Sequence, residues 1–189
     1  MKLLFVDCCI SQRGKESRTL ALAKAYIDAF RAAHPDWEVE RADPMDLPPL
    51  TAEFLDDRDT RKGEFSAPMF AAARQFQSAD SIVVAAPYWD LSYPAQLKTY
   101  IEHISVNGLC YHYTEQGCQG DCKAEKLVYL TSGGDFEGED SVGVLHWKQL
   151  CRMFGIGTFS YVFAGGMDID PVKTPELLAQ ACEKARSLV

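Results

Sequence analysis

The sequence predicts an α/β three-layer sandwich, a five-stranded parallel sheet of order 2-1-3-4-5 with helices on both faces. Three observations carry this reading. Strand-like and helix-like segments alternate from one end of the chain to the other. The central run Ile82-Val83-Val84-Ala85-Ala86 is apolar on both faces, as a parallel strand covered by helices must be. And 189 residues without an internal repeat or linker make one domain, 1–189, large enough to bury its core without cross-links.

The elements follow in order. Strand one is Lys2 to Asp7, and a polar loop, Cys8 to Glu16, leads to a helix from near Ser17 that ends before Pro35. Leu20, Ala23, Ile27 and Phe30 give that helix its apolar stripe. Strand two lies near Trp37 to Arg41. The segment from Asp43 to Gly63 carries Pro44, Pro48 and Pro49 and is too proline-rich for regular structure throughout. A helix from about Ala67 to Ser78 leads to strand three at Ser81. Pro87 ends that strand, and Pro94 stands at the first position of a helix whose stripe is Leu97, Ile101 and Ile104. From Val106 to Glu125, Gly108, Gly117 and Gly120 mark a small hairpin or lid. Strand four, Lys126 to Thr131, a helix from about Ser141 to Phe154, strand five, Thr158 to Ala164, and a last helix near Pro175 complete the chain.

Composition narrows the function. A net charge of −8 argues against nucleic acid and anionic membrane surfaces, which both need basic patches. Met1 to Val6 is too short for a signal core, and no apolar run reaches membrane-span length, so a cytoplasmic chain is expected. Seven scattered cysteines, an odd number, fit a reducing compartment better than a disulfide framework. Cys118 and Cys122, with His112 nearby, lack a second ligand pair at zinc-site spacing, so no metal is expected.

Open α/β sheets bind ligands at the carboxyl ends of their strands. In the order 2-1-3-4-5, three loops meet there. The first, Cys8 to Thr19, is rich in donors. Its Ser17, Arg18 and Thr19 open a helix, where unpartnered amides and the helix dipole favour an anion such as phosphate; Ser17 is also a good N-cap. The second, Pro87 to Tyr93, offers aromatic side chains and the backbone amides of residues 89 to 91 to a flat, partly polar ring, although Trp89 and Tyr93 also suit a core or a dimer contact. The third, Thr131-Ser132-Gly133-Gly134, has no side chain at its glycines to obstruct a ligand. Phosphate, ring and open floor match the parts of flavin mononucleotide. Neither a dinucleotide fingerprint nor a P-loop is present.

These residues resemble a known family, the flavodoxin-like NAD(P)H oxidoreductases that include FMN-dependent NADH azoreductases and, more distantly, FAD-containing quinone reductases. The resemblance rests on Ala86-Pro87-Tyr88-Trp89-Asp90-Leu91 with Gln96-Leu97-Lys98, on Tyr113-Thr114-Glu115, and on Thr131 to Gly134. Phe154-Gly155-Ile156-Gly157 and Phe163-Ala164-Gly165 extend it over nearly the whole chain. It implies a flavodoxin-like fold, noncovalent FMN (FAD as the alternative), and a homodimer with two sites at its interface. Ser11, Ser17, Arg18 and Thr19 would surround the phosphate, and Pro87, Tyr88, Trp89, Asp90 and Leu91 would line the ring, with Ser132, Gly133 and Gly134 on its other edge. Tyr113 would shape the acceptor pocket, and His112 could polarise an acceptor or serve packing.

Two departures matter. Cys8 and Cys9 stand where azoreductases often carry serines, and are read as buried structural thiols. Asp90 replaces an asparagine; a carboxylate there disfavours an anionic reduced ring unless it turns away. The implied activity is transfer of reducing equivalents from NADH or NADPH through flavin to a quinone, azo or similar small aromatic acceptor. The protein itself supplies orientation and electrostatics. A flavodoxin-type electron carrier, docking its acidic surface on a basic partner, is the alternative, and a flavin-free binding module on the same scaffold is a third.

Overall fold

A computed structural model describes residues 1–9, 17–136, 138 and 140–189. The predicted Ser11 lies outside the described residues. The sheet strands are β1 (Lys2–Asp7), β2 (Glu38–Ala42), β3 (Ser81–Ala85), β6 (Lys126–Ser132) and β7 (Thr158–Ala164), and a separate antiparallel hairpin pairs β4 (Tyr111–Thr114) with β5 (Gly117–Gly120). The helices are α1 (Arg18–Ala33), α2 (Ala52–Thr60), α3 (Ala71–Ser78), α4 (Ala95–Ile104), α5 (Val142–Phe154) and α6 (Thr174–Arg186). The sheet is parallel throughout and runs β2-β1-β3-β6-β7. This is the predicted order.

Strand alternation sorts the core into two layers. Leu4, Val6, Ile82, Val84, Leu127 and Tyr129 face α3, α4 and α5, packing with Phe76, Leu97, Tyr100, Trp147 and Phe154. Leu3, Phe5, Val83, Ala85, Val128, Leu130 and Val162 face the other way, onto Leu22, Tyr26, Ile27 and Phe30 of α1 and Ala181 and Ala185 of α6. With helices on both faces, neither set of alternating positions meets water, which is why the central strand reads as continuously apolar. Each fully buried aliphatic side chain there contributes about 1.5–3 kcal/mol.

The differences from expectation are local. After the last proline of the 43–63 segment, the Thr51 hydroxyl accepts the Phe54 amide at 3.2 Å and starts α2, which buries none of its residues. A side-chain cap allows a short helix where proline density alone argues against one. The helix expected from Ala67 begins instead as a 3₁₀ turn, Pro68–Phe70, before α3. Pro94 is the N-cap of α4 rather than its first residue. The hairpin after α4 is present as expected. It packs at the amino ends of the strands: the Cys122 amide donates to the Phe154 carbonyl at the end of α5, and the Lys123 amide to the Gln77 carbonyl.

Candidate cofactor site

Chain direction reverses about β1, which pairs with β2 on one side and β3 on the other, so the loops after β1 and β3 diverge over a crevice. Backbone hydrogen bonds carry the strand pairing onward into that crevice. Cys8 N–H donates to Ala85 at 2.8 Å, Ala86 to Leu130 at 3.1 Å, Tyr88 to Ser132 at 2.9 Å and Gly133 to Ala164 at 3.0 Å. The first residues of each loop are thus tied to the neighbouring strand.

The crevice holds about 190 Å³. Its α1 side is Cys9, Ser17, Arg18 and Thr19; Pro87, Tyr88 and Trp89 form a second wall; Ser132, Gly133 and Gly134 form the floor, with Asp168 at the rim. Of the predicted residues that the structure describes, those from all three loops therefore come together, except that Asp90 and Leu91 do not line the crevice. Both are exposed, and the Asp90 carboxylate is outside the lining.

Ser17 is the N-cap of α1, its Oγ accepting the Leu20 amide at 3.3 Å, and it also lines the crevice. The Arg18 and Thr19 amides have no partner among the described residues, so the helix start keeps the donors that an anion needs. Thr19 Oγ1 and Ser132 Oγ lie 2.6 Å apart, tying the first loop to the third. At the floor, a Cβ added to Gly133 would stand 2.9 Å from the Phe163 ring and 3.2 Å from that of Tyr88. A Cβ on Gly134 would stand 2.6 Å from Asp168 Oδ2. A side chain at Gly133 would require the two rings to shift, and one at Gly134 would displace the Asp168 carboxylate.

The second loop is a tight turn. Trp89 N–H donates to the Ser92 carbonyl at 3.2 Å, and Ser92 N–H returns to Trp89 at 2.8 Å. Asp90 and Leu91 between them have φ of 50° and 62°, left-handed values usual for glycine or asparagine in such turns and unusual for leucine. The Trp89 amide is therefore committed to the turn, which corrects the expectation that it faces a ring. The Asp90 and Leu91 amides have no partner among the described residues. Tyr93, just beyond, stacks on His146 of α5 with the rings 17° from parallel, and its hydroxyl bonds His146 Nδ1. Burial and the nearby Lys98 lower the His146 pKa, favouring neutral imidazole.

Cys8 is buried, and burial, with Asp7 and then Asp43 nearby, pushes its thiol up to about 12. Burial and Asp7 raise the Cys9 thiol as well. Neither is a thiolate near neutrality, so both serve packing. Asp7 accepts the Cys9 amide at 3.0 Å and pairs with Arg41 at 3.0 Å, fixing where the first loop leaves the sheet.

His112 and Tyr113 lie on β4, at the opposite end of the sheet, and do not line the crevice of their own chain. His112 Nδ1 contacts Asp121 Oδ2 at 2.8 Å. Two contributors were not anticipated. Asp168 follows β7, and its position beside β6 in the sheet order was the signal available for it. His146 had none, because its bond to Tyr93 spans 53 residues.

The Flavodoxin-like fold family matches residues 1–189. An "FMN-dependent NADH:quinone oxidoreductase" of Clostridium beijerinckii is 31% identical over 191 residues, covering 98% of this chain and 96% of its own. Among solved structures, azoreductase from Bacillus anthracis superposes with a TM-score of 0.86 at 24% identity, covering 100% of this chain and 98% of the other. A second Bacillus anthracis protein, an FMN-dependent NADH-azoreductase in complex with FMN, gives 0.81 at 18% identity, over 99% and 98%. The protein belongs to the flavodoxin-like family, alongside relatives named FMN-dependent NADH:quinone oxidoreductases.

Proposed function

We propose that the protein is an FMN-dependent NADH oxidoreductase acting on quinones, with azo and similar small aromatic acceptors as further substrates. The observation that carries this reading is the convergence of three unlike loops on one crevice: a donor-rich helix start, an aromatic turn and a side-chain-free floor. The whole-length likeness to the Clostridium beijerinckii enzyme supports it. The same likeness, over 98% of the chain, disfavours the electron-carrier alternative.

The residues fit FMN. The Ser17 hydroxyl and the Arg18 and Thr19 amides would hold the phosphate. Pro87, Tyr88 and Trp89 would hold the ring against Ser132, Gly133 and Gly134, with Asp90 and Leu91 contributing backbone amides. When bound, FMN supplies the two-electron exchange between NADH and the acceptor. The chain's own part is orientation. The Thr19–Ser132 contact would keep phosphate and ring sites at a fixed separation, and Trp89, 43% exposed, would flank the ring at the crevice.

A homodimer completes the site in this reading. One chain's crevice of about 190 Å³ is smaller than the roughly 300–1,000 Å³ usual for enclosed ligands. Exposed Leu91, Phe136, Val142 and Leu145 lie on the adjoining loop and the start of α5, apolar surface that suits a second copy. Tyr113, 67% exposed on the hairpin, would then reach a partner's pocket, with His112 beside it. All seven cysteines are free, which supports a reducing, cytoplasmic setting. No described helix is long and apolar enough to cross a membrane.

The test is a flavin titration followed by turnover. FMN should bind with quenching of its fluorescence, and the loaded protein should oxidise NADH when a benzoquinone or naphthoquinone is present. Binding without turnover with any quinone or azo dye would overturn the assignment.

A further inference from the structure

The rim of the crevice contains a carboxylate that a phosphate site does not need. Asp168 Oδ1 bonds Arg18 Nη1 at 2.7 Å. This is no chance contact of a loose loop. The residues after β7 are zipped to those after β6 by three backbone bonds: Gly166 N–H to Asp135 at 2.9 Å, Met167 to Gly133 at 3.2 Å and Asp168 to Gly134 at 3.1 Å. Gly134 leaves the room its carboxylate occupies, since a Cβ there would meet Asp168 Oδ2 at 2.6 Å. The Arg18 guanidinium is the cationic group among the described residues lining the crevice, and it is already paired.

Resting on the FMN reading above, we propose that Asp168 is an affinity-setting residue that competes with the flavin phosphate for Arg18. Its carboxylate satisfies the guanidinium. When FMN enters, the phosphate must share or take that partner beside a fixed like charge. Asp168 is 68% exposed and Arg18 32%, so their pair is a weak one that a doubly charged phosphate can displace. The consequence is a penalty specific to the phosphorylated flavin. Riboflavin has the same ring and no phosphate, and it escapes the penalty.

The experiment measures Kd for FMN and for riboflavin by flavin-fluorescence quenching in wild type, Asp168→Asn and Asp168→Glu. Asp168→Asn is expected to tighten FMN about fivefold, the scale of one exposed unit-charge interaction near 4 Å, and to leave riboflavin within twofold. Asp168→Glu keeps the charge and should keep the wild-type FMN-to-riboflavin ratio. In an Arg18→Gln background, Asp168→Asn should gain less, because the group being competed for is gone. Weaker FMN binding in Asp168→Asn, or an equal change for both flavins, would overturn the proposal and make Asp168 an ordinary ligand contact. If wild type binds neither flavin, the FMN reading itself fails and takes this proposal with it. FMN binding with an unaltered ratio overturns this proposal alone.

Discussion

The two ends of the sheet use the same residue type to opposite effect. At the amino end, the missing side chain of Gly120 lets two backbones touch, since a Cβ there would stand 2.0 Å from the Gly155 amide nitrogen. At the carboxyl end, the missing side chains of Gly133 and Gly134 make room for side chains instead, the Phe163 and Tyr88 rings and the Asp168 carboxylate. Positive φ divides in the same way. Among the described residues, the hairpin end places it on Gly108, Gly117 and Gly155, at 87°, 102° and 78°, whereas the carboxyl end places it on Gly166, at 73°, and on the non-glycine residues Asp90 and Leu91. A turn that exists for stability uses the residue that fits it. Asp90 and Leu91, left-handed without glycine at a cost of about 1–2 kcal/mol each, lie in the loop beside the crevice. Among the described residues, left-handed backbone without glycine is thus confined to the crevice end.

Substitutions that exchange these roles should break the comparison. The largest effect is expected at Gly120→Ala, where the clash is with backbone. Unfolding free energy from urea titration should fall by roughly 3 kcal/mol, while FMN affinity of the folded fraction stays at the wild-type value. At Gly133→Val the balance reverses. FMN should bind about a hundredfold more weakly, equivalent to about 2.7 kcal/mol, with a smaller loss of stability because the Phe163 and Tyr88 rings it meets are side chains. Leu91→Gly sharpens the strain argument. Relief of the left-handed leucine, less the entropy of glycine, should raise stability by about 0.5 kcal/mol and weaken FMN, as a looser turn presents its amides less well. A drop in thermal midpoint would show that the turn is not strained.

The smallest effect concerns pH and the contact between Tyr93 and His146. Because the folded His146 pKa is lowered, the unfolded chain binds more protons between that value and the ordinary histidine range. Stability from this group is therefore fully present above pH 6.5 and declines as pH falls toward the folded pKa. His146→Gln should lose less stability than wild type between pH 7 and 5.5, read as thermal midpoints. An identical slope would remove the histidine from the account.

What was legible in the sequence follows the same division. Strand limits and order were readable because Ile82 to Ala86 and its neighbours answer to local periodicity and to the two-sided burial of a parallel sheet. The floor at Gly133 and Gly134 and the cap at Ser17 were readable because glycine and serine at element ends have few other uses. Asp168 was legible only as far as its loop's place beside β6; its pairing with Arg18 was not, since it depends on three backbone bonds between loops more than 30 residues apart in sequence. The closed Trp89–Ser92 turn was missed because Asp-Leu is a poor left-handed pair by propensity. The position of Tyr113 and His112 depends on where α4 ends, at the amino side of the sheet, which a motif match along the chain does not encode.

The central claim is that the glycine-floored crevice holds FMN for reduction by NADH. The most direct measurement is an anaerobic NADH titration of the FMN-loaded protein, followed in the visible flavin bands, for wild type and Gly133→Val at equal protein concentration. The account predicts protein-bound flavin bands that bleach at one NADH per flavin in wild type, and little bound flavin in the variant. Bound flavin that NADH leaves oxidised, or a variant that binds and bleaches like wild type, would contradict it.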